Sequence, residues 1–223
     1  GVNVSLVLQN LGVKSKALGF TAGFSGQELK RLLAATGVAY DFIDIPEGYT
    51  RINVKIAGAK ETAINGQGPH IGQQELKLLL EQLKQLQPGD ILDLSGSIPA
   101  TLPKDVYEQI MQLVADKDIK VVVDATGELL LRVLKYHPFL IKPNHEELGD
   151  LFGLPPLEAE AEILYCAHKL QEQGARNILV SRGAEGAILL DEKGVVRIRP
   201  SPKGKLVNSV GAVDSMVAGF LAG

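Results

Sequence analysis

An acid placed where a glycine-containing turn feeds a helix is well placed for proton chemistry. In "NSVGAVDSMVAGF" the lone carboxylate is Asp214, preceded by Gly211, Ala212 and Val213 and followed by apolar residues at helical spacing. Backbone N–H groups of 211–213 would point outward at a helix N-terminus, where free donors and the helix dipole attract anions. An acid beside a bound phosphate could take the proton of an incoming hydroxyl. The plainer reading is that Asp214 caps a helix, as first-turn acids commonly do. Taken alone, this stretch favours the cap.

Three other segments carry similar double readings. In "IKPNHEEL", Lys142, Asn144 and Glu147 follow a buried apolar run. Lys142 could neutralise phosphate, and Asn144 with Glu147 could hold Mg²⁺ through waters, since that ion prefers oxygen ligands and keeps its hydration. Asn-x-x-Glu at a helix start is equally a capping box. In "SRGAEGAILL", Ser181, Gly183 and Gly186 form a tight turn after a strand, suited to a nucleotide or to an ordinary β-turn. Arg51 in "YTRINVKI" could grip a phosphate with a bidentate fork, and by default is a solvated charge. No G-x-x-x-x-G-K-[ST] and no G-x-G-x-x-G occurs. His70, His137, His145 and His168 have neither metal nor triad spacing.

The elements that must position these residues read as an α/β fold, a mostly parallel sheet with helices on both faces plus a small β flap. Buried apolar strands ("DILDLSGS", "IKVVVDATG", "PFLIKPN", "NILVSRG") alternate with helices near 73–86, 103–115, 128–134, 157–173 and from 146. Ligands bind beyond the carboxyl ends of such strands, which is where "SGS", "DATG", "KPNHEE" and "SRGAEG" fall. Earlier, "SGQELKRLLAATG" opens with Ser25 and Glu28 as a capping box. "YDFIDI", "RINVKIA" and "ETAIN" follow as consecutive strands separated by turns, predicting an antiparallel flap over 38–66 beside a core of 1–37 and 67–223.

Bulk properties narrow the classes. The 223 residues suit one α/β domain with a small appendage, at 45% hydrophobic and 22% charged. A net charge of −3 argues against nucleic acid or an anionic membrane as partner, and no apolar run approaches the roughly 18–20 residues that span a bilayer. A single cysteine, Cys166, sits in a helical pattern as a packing thiol and fits a reducing, cytoplasmic setting.

The order of the motifs, from "GVNVS" through "TRINVKI", "SGSIP", "KPNHEE" and "SRGAEGA" to "NSVGAVDSMVAGF", resembles the ribokinase-like sugar kinase family across nearly the whole chain. The resemblance implies phosphoryl transfer from ATP, with Mg²⁺, to a sugar phosphate. The flap and the last motif look most like members acting on the 6-hydroxyl of fructose 1-phosphate. Members acting on tagatose 6-phosphate are near neighbours, and a non-catalytic sugar-phosphate-binding homologue is the other alternative. It implies Asp214 as the base, with Gly211, Ala212 and Val213 as the anion hole. Asn3, Arg51 and Ser97 would meet the sugar phosphate. Lys142, Asn144, Ser181, Gly183 and Gly186 would face the nucleotide, and Glu147 the metal. Residues 38–66 would be a lid over the sugar site, with its edge available for a homodimer.

Two departures stand out. The family's first sugar motif begins Gly-Gly-Lys-Gly, and Gly1 matches only its last glycine, so the chain is expected to be the core of a longer kinase, truncated at both ends. Val213 replaces the glycine of the usual G-A-G-D. Valine strongly disfavours positive φ, so either the anion hole is distorted or the backbone at 213 is helical and only the isopropyl group crowds the anion.

Overall fold

Val121, Val122 and Val123 are consecutive and all buried, which requires cover on both faces of their strand. A computed structural model, describing residues 2–56, 62–96, 98–204 and 211–223, shows how that cover is built. The valines lie in β6 (Lys120–Asp124), which pairs in parallel with β5 (Ile91–Ser95) on one side and β7 (Leu140–Ile141) on the other. β8 (Asn177–Ser181), buried at every residue, joins β7 in parallel. β9 (Ala187–Leu190) and β10 (Val196–Arg199) then turn back as antiparallel strands, giving the order β10-β9-β8-β7-β6-β5. β10 is exposed throughout and carries Arg197 and Arg199, charges that suit an edge strand.

Parallel neighbours need long crossovers, here supplied by α4 (Val106–Val114), α5 (Gly127–Val133), and α6 (His145–Leu151) with α7 (Glu160–Glu172). In α7 the buried residues Ile163, Cys166, Ala167 and Leu170 recur at helical spacing and form its core stripe. Cys166 is 1% exposed, and burial pushes its thiol pKa up, which suits packing and not nucleophilic attack.

The chain divides into two compact units, one of Leu83–Ile98 and Lys104–Val213 containing this six-stranded sheet. The other comprises Val2–Gln82, Pro99–Pro103 and Asp214–Gly223. Its elements are α1 (Val2–Asn10), β1 (Lys16–Ala22), α2 (Gly23–Thr36), β2 (Ala39–Ile45), β3 (Asn53–Ile56) and β4 (Thr62–Asn65). Most of α3 (Gln73–Leu83) and of α8 (Ala212–Ala222) also belongs to it. Among the described residues no helix is long and apolar enough to cross a membrane.

Two local expectations are corrected here. "YDFIDI" is not part of an antiparallel run: as β2 it pairs in parallel with β1, from Lys16↔Ala39 to Ala22↔Ile45. The 14-residue α2 between them is the crossover that parallel pairing requires, so these elements form a βαβ unit. β3 and β4 alone make the antiparallel hairpin, in register from Asn53↔Asn65 to Ile56↔Thr62. Likewise Ser25 and Glu28 form no capping box, because α2 already starts at Gly23. Ser25 Oγ instead donates to the Thr50 carbonyl at 2.8 Å, and Glu28 pairs with Arg31.

Candidate active site

In the unit holding the six-stranded sheet, polar groups gather at the carboxyl ends of the parallel strands. In register Val123 lies opposite Ile141, so Asp124 and Lys142 are the next residues out on adjacent strands. Lys142 Nζ stands 3.4 Å from Asp124 Oδ1 while the lysine is 3% exposed. A cation buried to that degree needs a counter-charge, which Asp124 provides. On β5, Ser95 Oγ donates to the Asp93 carboxylate at 2.7 Å. Gly96, at φ 99°, turns the chain, and its carbonyl accepts from the Tyr107 hydroxyl at 2.8 Å. Burial first, then the charges of Asp93 and Asp124, push the Tyr107 phenol pKa well up, so it stays protonated and able to donate. Ser97, the residue after this turn, lies outside the described residues.

After Lys142 the chain caps α6. Asn144 Oδ1 accepts from Glu147 N at 2.7 Å, and Glu147 Oε2 accepts from Asn144 N at 2.8 Å, a complete capping box. Asn144 and Pro143 tie β8 to this turn, through the Asn144↔Ser181 bridge and the Ser181 N–H donating to the Pro143 carbonyl at 3.2 Å. Ser181, 4% exposed, thus ends β8 beside the cap. Gly183, at φ 55°, then opens a 3₁₀ turn that ends at Gly186, at φ 97°. A Cβ at Gly186 would lie 2.0 Å from the Arg199 carbonyl oxygen, so only glycine fits the approach to the β10 end. Gly183 by contrast faces open space.

Among the described residues no group of three or more His, Cys, Asp or Glu could hold a metal. That excludes a dedicated all-protein cage there. An ion carried largely by waters and phosphates needs only one or two carboxylates from the protein. Glu147 commits Oε2 to its cap, and a carboxylate has a second oxygen for a hydrated ion.

The other unit carries the expected base. α8 runs Ala212–Ala222, with Asp214 in its first turn and Val217 and Ala218 buried. The turn before it belongs to Gly211, at φ 79°. Among the described residues His137 is the one non-glycine with positive φ, so Val213 is unstrained inside the helix. The valine therefore leaves the backbone donors of the helix start in place and adds only bulk, 38% exposed. Asn3, near the start of α1, donates from Nδ2 to Asp214 Oδ2 at 3.0 Å. Arg51 follows Thr50, which is pinned between strand and helix: Thr50 N donates to the Ala22 carbonyl at 3.0 Å and Ala22 N donates to Thr50 Oγ1 at 2.9 Å.

Each half thus assembles residues expected from the motifs, and each adds partners that motif reading did not single out. Asp93, Asp124 and Tyr107 are the additions in one half and Thr50 in the other. Asp93 and Asp124 stand in segments, "DILDLSGS" and "DATG", already marked as strand ends. No spacing rule links either to its partner.

Comparison with known proteins resolves the class. The family model of pfkB carbohydrate kinases matches residues 1–223. The chain belongs to the pfkB family of carbohydrate kinases. Within that pfkB family, a 1-phosphofructokinase of Bacillus subtilis is 48% identical over the whole chain and is covered to 73% of its own length. A D-tagatose-1-phosphate kinase of Bacillus licheniformis is 38% identical over 99% of the chain, covered to 72%. The structure of Escherichia coli phosphofructokinase-2 in complex with fructose-6-phosphate superposes with a TM-score of 0.89 at 27% identity, over all of this chain and 74% of that one. The α/β fold with its mostly parallel sheet is therefore that of the pfkB sugar kinases.

Proposed function

We propose that this pfkB-family chain transfers the γ-phosphoryl group of ATP to the 6-hydroxyl of fructose 1-phosphate, giving fructose 1,6-bisphosphate. The observation that carries the reading is Asp214 in the first turn of α8, directly after a glycine turn at φ 79°. Helix-start N–H groups of 211–213 stabilise the negative charge of the transferred phosphoryl group, and the carboxylate takes the hydroxyl proton. The freed oxygen attacks phosphorus in line while the bond to ADP breaks, so positioning and charge account for most of the rate.

Lys142 supplies positive charge to the nucleotide phosphates, with Asp124 holding the lysine when they are absent. Asn144, Ser181, Gly183 and Gly186 shape the nucleotide side, and Glu147 reaches a hydrated Mg²⁺. That ion, when bound, neutralises phosphate charge. Arg51 and Ser97 act on the sugar phosphate under a lid built on the β3–β4 hairpin, and Asn3 stands beside the base. Ile52, Val54, Ile56 and Ile64 of the hairpin region are all exposed, an apolar surface that supports pairing with a second copy. With such substrates the enzyme works in the cytoplasm.

A second acceptor is favoured by the 38% identity to a tagatose-1-phosphate kinase. D-Tagatose differs from D-fructose only at C4, so the same phosphate grip and the same base would serve both. Turnover compared on fructose 1-phosphate, tagatose 1-phosphate and tagatose 6-phosphate separates these acceptors. Asp214→Asn should lower kcat by ~10²–10⁴-fold, and near-wild-type turnover would refute the base. A chain that binds sugar phosphate but not MgATP would instead be a non-catalytic binding protein.

A further inference from the structure

Asn3 and Asp214 are 211 positions apart, yet one donates to the other at 3.0 Å. We propose that Asn3 is a positioning residue for Asp214: its amide holds Oδ2 and so sets the plane in which the carboxylate meets the acceptor hydroxyl. The inference rests on Asp214 being the base of the kinase reading above.

The last torsion of an aspartate is broad and roughly two-fold, so rotamer preference leaves the carboxylate plane undetermined. A base must meet the hydroxyl at about 2.6–3.2 Å with a lone pair directed at it, and something has to set that plane. Here the setting group rides on a second anchored helix. α1 is held by buried Val4, Ser5 and Leu8, and α8 by buried Val217 and Ala218. The bond thus fixes one anchored element against another through the carboxylate. A charge-assisted bond from an amide is strong enough for that purpose and has no proton to lose near neutral pH. During transfer the hydroxyl proton moves to the Asp214 carboxylate, and Asn3 exchanges nothing.

A purely sugar-binding Asn3 and a positioning Asn3 leave different kinetic traces. In the full chain, Asn3→Ala should lower kcat about tenfold, the scale of one hydrogen bond to a charged group, with sugar-phosphate KM changed less than about threefold. Asn3 is exposed and alanine is the best helix former, so the fold tolerates the change. In the Asp214→Asn background the same substitution should cause no further loss. A raised KM with kcat retained, or losses that multiply in the double variant, would overturn the role.

A readout independent of turnover is the side-chain amide resonance of Asn3. It should shift in Asp214→Asn, and an unmoved resonance also overturns the proposal. A wild-type chain that phosphorylates no ketose phosphate defeats the kinase reading and the role with it. A shifted resonance in that case shows the bond itself intact, which tells the two failures apart.

Discussion

Lys142 and Asp124 form a pair in which the lysine is 3% and the aspartate 20% exposed. The asymmetry predicts unequal costs. Asp124→Asn strands a buried cation and should cost about 3 kcal/mol. Lys142→Met leaves a carboxylate that already reaches water, and should cost less while abolishing the affinity for ATP. Urea unfolding and nucleotide titration of both variants check this. A Lys142→Met chain less stable than Asp124→Asn would show that lysine burial does not govern the pair.

Val213 sits in helical backbone while Gly211 takes the positive φ. Any rate cost of the valine is then steric crowding of the anion and not backbone strain. Val213→Ala should accordingly raise kcat as much as Val213→Gly. A gain confined to the glycine variant would mean that the turn needs freedom at 213 after all. Gly211→Ala, forced into φ 79°, should cost about 1–2 kcal/mol of stability.

Gly183 and Gly186 bracket one 3₁₀ turn but differ in surroundings. Gly186→Ala drives a Cβ to 2.0 Å from the Arg199 carbonyl oxygen and should cost roughly 3 kcal/mol. Gly183→Ala meets no atom within 4 Å and should cost only the left-handed backbone, about 1 kcal/mol. Thermal unfolding of the two variants reads the difference directly, and equal losses would contradict it.

Asp44 accepts from Lys30 and from Thr21 Oγ1, and these bonds, the lysine's above all, hold its carboxyl below the ordinary carboxylate range. Its folded pKa is lower than its unfolded one, so its contribution to stability is present above the unfolded value. That contribution disappears as pH falls through the folded value. Asp44→Asn should therefore reduce the unfolding temperature at neutral pH and lose less of it on acidification. Melting curves from neutral pH to well below the ordinary carboxylate range near roughly pH 4 test this, and parallel pH profiles would refute it.

Element types and their order were legible in the chain because they depend on local periods and punctuation. Val121–Val123 announce a strand buried on both faces, α7 repeats its apolar residues at helical spacing, and Gly or Pro marks the turns. The same local logic marked the site segments, since polar residues directly after apolar strands must emerge at a sheet's carboxyl edge. It also offered both readings of Asn144 and Glu147, and the capping box is realised in full. Where the signal was ambiguous it failed: β2 follows a helix and precedes a hairpin, and only packing assigns it to β1.

What the tertiary structure alone decided is who meets whom. Lys142 finds Asp124 because the register of β6 and β7 sets them side by side. Asn3 finds Asp214 because two helices from opposite ends of the chain are brought together. Val213 sits unstrained in its helix because the left-handed turn falls two residues earlier, at Gly211. The local pattern could name an acid before an apolar helix. Its hydrogen-bond partner and the strain on its neighbours arise from distant packing, which no window along the chain contains.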